Sequence, residues 1–204
     1  MSIRLYIETN FILSIATGRD PVAFDLINPP PHNLEIALPD ICCMEALSVL
    51  ESEIKRYRSV SDMYQFESKQ LLRNRLSETA QSLAQNLQQA RLDNNEVLLE
   101  MRSRLREVLN RLADCAELIP LTNDILKWNV ENFTVISEPT DNLILACILA
   151  DTTLYPENQK VLLSGNSRDF QSESVKPYLA AANITNYFKT TQTFLGWFNT
   201  QAET

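Results

Sequence analysis

The first apolar stretch, Ile3 to Ile7, has Arg4 and Tyr6 interleaved and predicts a short strand. The polar triplet Glu8-Thr9-Asn10 follows, and the run Phe11 to Ala16 then predicts a helix leaving the strand end directly. Pro21 and the cluster Pro29-Pro30-Pro31 mark loop, and Glu35 to Leu38 is a second apolar stub. Asp40 stands where a helix cap is expected, and Ile41, Met44, Leu47 and Leu50 recur at helical spacing behind it. Further on, Leu118 to Leu121 reads as extended. Thr122 caps a helix through about Val130, Pro139 and Thr140 introduce an apolar helix over 141–150, Val161 to Ser164 reads as a buried strand, and Ile184 to Phe188 as a last strand before a helix near Thr191 to Phe198. Strands separated by helices predict an α/β fold, with a mainly parallel sheet covered on both faces.

Between Ser61 and Ala116 there is no proline or glycine, and leucines recur at 72, 76, 83 and 87, then at 98, 105, 109 and 112. That is the pattern of long helix. Asp93-Asn94-Asn95-Glu96 has the form of a capping box, which predicts two antiparallel helices joined near residue 93. The segment at about 57–116 is thus expected as a helical arm inserted into, or elongating, a single domain over 1–204. Residues 51–115 carry 11 Lys+Arg against 10 Asp+Glu, and the rest of the chain 7 against 16, from totals of 18 and 26.

The formal charge of −8 argues against a protein that coats nucleic acid or anionic membrane over its whole surface. The longest purely apolar stretch, Leu143 to Ala150, is far too short to span a membrane, and no export signal is evident, so a cytoplasmic protein is expected. Cys42, Cys43, Cys115 and Cys147 lack metal-ligand spacing and read as reduced core thiols. His32 sits among prolines in a rigid surface turn. With only three glycines, a glycine-rich phosphate loop is ruled out.

Ligands of an open parallel sheet collect outside the carboxyl ends of its strands, so the polar residues just after each strand carry the candidate chemistry. Glu8 and Asp169 qualify, Asp141 opens an otherwise apolar helix, and Glu45 lies near the start of another, flanked by Cys42 and Val49. Singly, each carboxylate is explained as a cap, a dipole complement or a solvated side chain. Four brought together would raise one another's proton affinity unless a cation neutralised them. Hard oxygen ligands suit Mg²⁺ or Mn²⁺, singly or as a pair, and such a site is suited to hydrolysing a phosphodiester.

The strand with Tyr6-Ile7-Glu8-Thr9-Asn10-Phe11-Ile12-Leu13, then Glu45, then Asp141-Asn142-Leu143-Ile144-Leu145-Ala146, then Val161-Leu162-Leu163-Ser164-Gly165-Asn166 with Asp169-Phe170, resembles the PIN-domain ribonucleases in order and spacing. The resemblance covers residues 3–56 and 117–199. It implies a three-layer α/β/α sandwich, with Mg²⁺ or Mn²⁺ held by carboxylates that cut RNA. It also implies an antitoxin-like protein partner, because many relatives are toxins of bacterial toxin and antitoxin pairs. Carried over by position, Glu8 stands for the first aspartate of the family, Glu45 and Asp141 for the second and third acids, and Asp169 or Asn166 for the fourth, with Thr9, Asn10 and Ser164 as supporting polar groups. Two departures matter. Glu8 is one methylene longer than aspartate, and Asn166 stands where an acid is usual; it can offer an oxygen but no charge.

The expected function is therefore a metal-dependent endoribonuclease of low activity. The alternative is a catalytically degenerate module of the same fold that binds RNA or a protein partner, and a third reading is wholly structural. Arg73, Arg75, Arg91, Arg102, Arg104, Arg106 and Arg111 would guide RNA phosphates in the first reading; in a plainer one, Glu100 with Arg104 and Glu107 with Arg111 are ion pairs on a solvated face. The leucine spacing of the arm also suits a homodimer. Tyr6, Trp128, Phe170 and Trp197 read as core rather than as base-stacking platforms.

Overall fold

Burial decides which apolar runs become strands, and every residue of Ile3–Ile7 is buried, as expected of a strand covered on both faces. A computed structural model describes residues 2–202. Strands β1 (Ile3–Ile7), β2 (Leu34–Pro39), β3 (Ala116–Ile119), β4 (Gln159–Leu163) and β5 (Ile184–Phe188) form one sheet in the order β3-β2-β1-β4-β5. All four pairings are parallel, with Leu5 opposite Ile36 on one side and Val161 on the other. The chain moves outward from β1 through β2 to β3 and then resumes at β4 on the other side of β1. The order therefore reverses between β1 and β4, and the crevice beyond their carboxyl ends is the topological switch point where such sheets bind ligands.

Helices cover both faces. On one, α1 (Thr9–Ala16) packs on α2 (Ala23–Leu26), and α2 on α9 (Thr191–Ala202). On the other, α6 (Pro139–Thr152) packs on β2, β3 and α5 (Asn123–Glu131). Five successive residues of α6, Ile144 to Ile148, are buried, which is why that helix is apolar all round. Two short helices, α7 (Ser167–Phe170) and α8 (Lys176–Ala181), connect β4 to β5. The architecture is the expected α/β/α sandwich, with an all-parallel sheet.

The long helices are α3 (Asp40–Leu71) and α4 (Glu78–Cys115). The chain divides into two compact units, one of residues 2–46 with 105–202 and one of residues 47–104. In the second unit the helices meet at 72–77, not at 93, and α4 runs unbroken through Asp93-Asn94-Asn95-Glu96. Those polar residues have another use: Asn94 Nδ2 donates to the Tyr57 carbonyl at 2.9 Å and to Ser61 Oγ at 2.7 Å, and Ser61 Oγ donates to Asn95 Oδ1 at 3.2 Å. They bridge α3 to α4. The cap of α4 is Ser77, whose Oγ accepts from the Ala80 N–H at 3.1 Å.

Three smaller expectations are also corrected. Asp40 lies inside the first turn of α3, and its carboxylate accepts from the Leu121 N–H at 3.3 Å rather than capping its own helix. Of the leucine row, Leu98, Leu105 and Leu112 are buried, but Leu72 and Leu83 are exposed and Leu76, in the turn, is 98% exposed. Glu100 pairs with Arg104 at 3.1 Å, whereas no ion pair joins Glu107 to Arg111 among the described residues. All four cysteines are free, Cys42 and Cys147 buried, Cys43 and Cys115 half-buried. Tyr6 and Phe170 are in the core, while Trp128 and Trp197 are half-buried in ring contacts with Tyr178 and Phe188.

Candidate functional site

The switch-point crevice is built from four element ends. Glu8 follows β1 and is the N-cap of α1: its Oε2 accepts from the Asn10 N–H at 2.6 Å. Folding buries this carboxylate to 1% exposure, and its other oxygen, Oε1, has no partner at hydrogen-bonding geometry. Burial pushes the Glu8 pKa up to about 7; the bond from Asn10 and the nearby Ser164 hydroxyl oppose the rise, and the charge of Asp141 adds to it. Next to it, Thr9 donates its hydroxyl to Glu45 Oε2 in a short hydrogen bond, which ties the start of α1 to α3. The Cys42 thiol, a turn before Glu45, is pushed far up by burial, with the charges of Glu8 and Glu45 adding to the effect.

Asp141 stands in the first turn of α6, after the cap residue Glu138. Its placement comes from Asn142, which is buried and accepts from the Ile136 N–H at 3.0 Å while donating to Asn129 Oδ1 at 2.7 Å and to the Asn132 carbonyl at 3.2 Å. That network folds the segment between α5 and α6 back on itself. Burial, followed by the charges of Asp169, Glu45 and Glu138, pushes the Asp141 pKa up to about 6. The mutual effects of Glu8, Glu45, Asp141 and Asp169 put all four in one electrostatic neighbourhood.

The fourth corner follows β4. Asn166 Nδ2 donates to Asp141 Oδ2 and to Asp169 Oδ2, both at 2.8 Å, and Asn166 Oδ1 accepts from the Asp169 N–H at 3.4 Å as the cap of α7. The amide therefore turns its nitrogen to the carboxylates, with its oxygen used by the backbone. Ser164 Oγ accepts from the Asn166 N–H at 3.0 Å and fixes this turn. Asn10 is exposed at the rim and lines, with Gly165 and Lys189, a small cavity of about 60 Å³.

Sequence reasoning missed three neighbours. Glu138 adds charge to Asp141, Tyr187 donates to the Ser164 carbonyl at 2.6 Å, and Lys189 lines the small cavity beside Asn10 and Gly165. Tyr187 and Lys189 stand at the carboxyl end of the last strand, where the rule that singled out Glu8 would have found them.

The donor chemistry fits a hard divalent cation: carboxylate oxygens, one of them buried and unpartnered, with no sulfur or imidazole among the four acids. The spacing is another matter. Among the described residues, no group of three or more His, Cys, Asp or Glu side chains is arranged to hold a metal ion. The position between Asp141 and Asp169 is taken by the Asn166 amide. Family models, curated proteins and solved structures were compared with this chain, and none matches it.

Proposed function

We propose that the crevice hydrolyses RNA phosphodiesters with the help of Mg²⁺ or Mn²⁺, slowly. The observation that carries this reading is the buried, unpartnered Oε1 of Glu8 beside an Asp141 that burial and then neighbouring carboxylates push up to about 6. Glu8, Glu45, Asp141 and Asp169 would hold the cation, with Asn166 beside them. When bound, it would neutralise their repulsion and act as a Lewis acid on phosphate oxygen. The chain's own groups do the rest. With a cation held there, the Glu8 and Asp141 carboxylates, pushed up to about 7 and about 6 without one, would stay ionised and orient the attacking water. Lys189, in the small cavity beside Asn10, would draw the phosphate in.

The decisive experiment is a Mn²⁺ titration read two ways, as a rise in melting temperature and as cleavage of an unstructured RNA. Asp141→Asn should abolish both responses and leave the metal-free fold intact. If that variant cuts as well as the parent, the assignment of Asp141 fails.

A second reading rests on Asn166. Its amide already satisfies Asp141 and Asp169 without a cation, as in a degenerate module that binds RNA or an antitoxin-like protein and cuts nothing. Asn166→Asp separates the two. In a metal site it adds a charge and tightens Mn²⁺ binding by about tenfold; in a degenerate one it lowers stability and brings no cleavage.

A further inference from the structure

The opposite end of the sheet holds a second unusual group. Lys160, near the start of β4, is 2% exposed, yet its side chain makes no hydrogen bond or ion pair among the described residues. The ammonium is not sealed from solvent, but with so little of the side chain open to water and no acceptor bonded to it, an anion arriving there would meet an unneutralised charge. No carboxylate among the described residues pairs with it. Lys160 pairs in register with Arg4 on β1, so both side chains leave the sheet on one face, and Arg4 and Tyr6 take the buried carboxylate there. Asp151 Oδ1 accepts from Arg4 Nη2 at 2.9 Å, and Oδ2 accepts from Arg4 Nε at 2.7 Å and from Tyr6 Oη at 2.8 Å. Arg4 also holds Glu117 at 2.8 Å and Glu35 at 3.6 Å.

What Lys160 does face is a cavity of about 380 Å³, within the size range of small-ligand pockets. Most of its wall is apolar, from Leu149, Pro156, Ala181, Ala182 and the Tyr178 ring, and Asn183 adds a polar side chain. The hydroxyls of Thr152 and Thr153, which also line it, are spent on the Leu149 and Ala150 carbonyls at 2.7 Å each. Helices α6 and α8 present their carboxyl ends here, and the partial negative charge of those ends disfavours a phosphate or other multiply charged ligand. One cation at the base of an apolar cavity matches one negative charge on an apolar body.

We propose that this cavity binds a small monocarboxylate with an aromatic or aliphatic body, its carboxylate on Lys160 Nζ and its body against Tyr178 and Leu149. The proposal is independent of the acidic crevice. Ligand-detected NMR with sodium benzoate, and with benzyl alcohol as the neutral counterpart, tests it on the full chain. Benzoate should bind saturably and at least about tenfold more tightly than the alcohol, Lys160→Met should erase that preference, and Ala182→Leu, which fills the cavity from its wall, should weaken both probes. Equal binding of the two probes to the parent, or no saturation by benzoate up to about 10 mM, overturns the proposal. So does undiminished benzoate binding by Ala182→Leu, a result that stands even if Lys160→Met fails to fold.

Discussion

Glu8 ties proton binding in the crevice to stability in a way that can be measured without any substrate. Its carboxyl ionises at 4.5 in the unfolded chain and at about 7 in the folded one. The stability it contributes is therefore fully present below pH 4.5 and lost as pH rises through about 7. Asp141 acts in the same direction between 3.8 and about 6. In chelator, Glu8→Gln should melt like the parent at about pH 4 and several degrees above it at about pH 8. A variant that melts below the parent at the higher pH would show that the carboxylate is stabilised by partners not seen in the crevice. Arg4 makes the opposite case. It is 0% exposed, and although burial works against its charge, the bonds to Asp151 and Glu117 outweigh that and raise its pKa. Arg4→Met strands Asp151 as a buried, unpaired charge and should cost about 3–5 kcal/mol in urea unfolding. The acids of the crevice were legible in the sequence because each follows a strand or opens a helix. Arg4, Lys160 and the bridging role of Asn166 were not, since nothing along the chain tells a buried polar side chain from an exposed one until the register of β1 and β4 brings Arg4 and Lys160 side by side.

At the scale of elements, period and burial agreed for most of the apolar runs bounded by proline, threonine or glycine. β1, β5 and the Thr122 cap of α5 match the sequence reading residue for residue, whereas α6 starts at Pro139 behind the cap Glu138 and the third strand lies at Ala116–Ile119 rather than 118–121. The joint of the arm did not, because its turn, Leu72 to Ser77, has neither glycine nor proline, and the polar cluster at 93–96 imitates a cap while bridging α3 to α4. A paired comparison tests that account. Asn94→Ala removes bonds to Tyr57 and Ser61 and should cost about 1–3 kcal/mol, whereas Glu96→Ala, exposed within an unbroken helix, should fall within about 0.5 kcal/mol of the parent. A cap at 93 would make Glu96→Ala the costly change. Met63, Phe66, Leu92 and Leu99 are exposed on the same two helices, and sedimentation equilibrium of Phe66→Ser against the parent would test the homodimer expected from the leucine spacing through the loss of a dimer.

For the molecule as a whole, the parallel sheet keeps two kinds of chemistry apart: carboxylates gather past the last residues of β1 and β4, and the lone ammonium of Lys160 lies by their first. No helix among the described residues is long and apolar enough to cross a membrane. The sheet also has two unpaired margins, and at one of them β3 is only four residues long. Its Glu117 is half exposed and held by Arg4 and Tyr155, beside the exposed Leu118. A short margin guarded by a fixed negative charge is a poor template for a strand from another molecule. Replacing that charge with a β-branched apolar residue, as in Glu117→Val, would free the margin to recruit neighbours, and the protein would drift toward fibrous precipitation on storage.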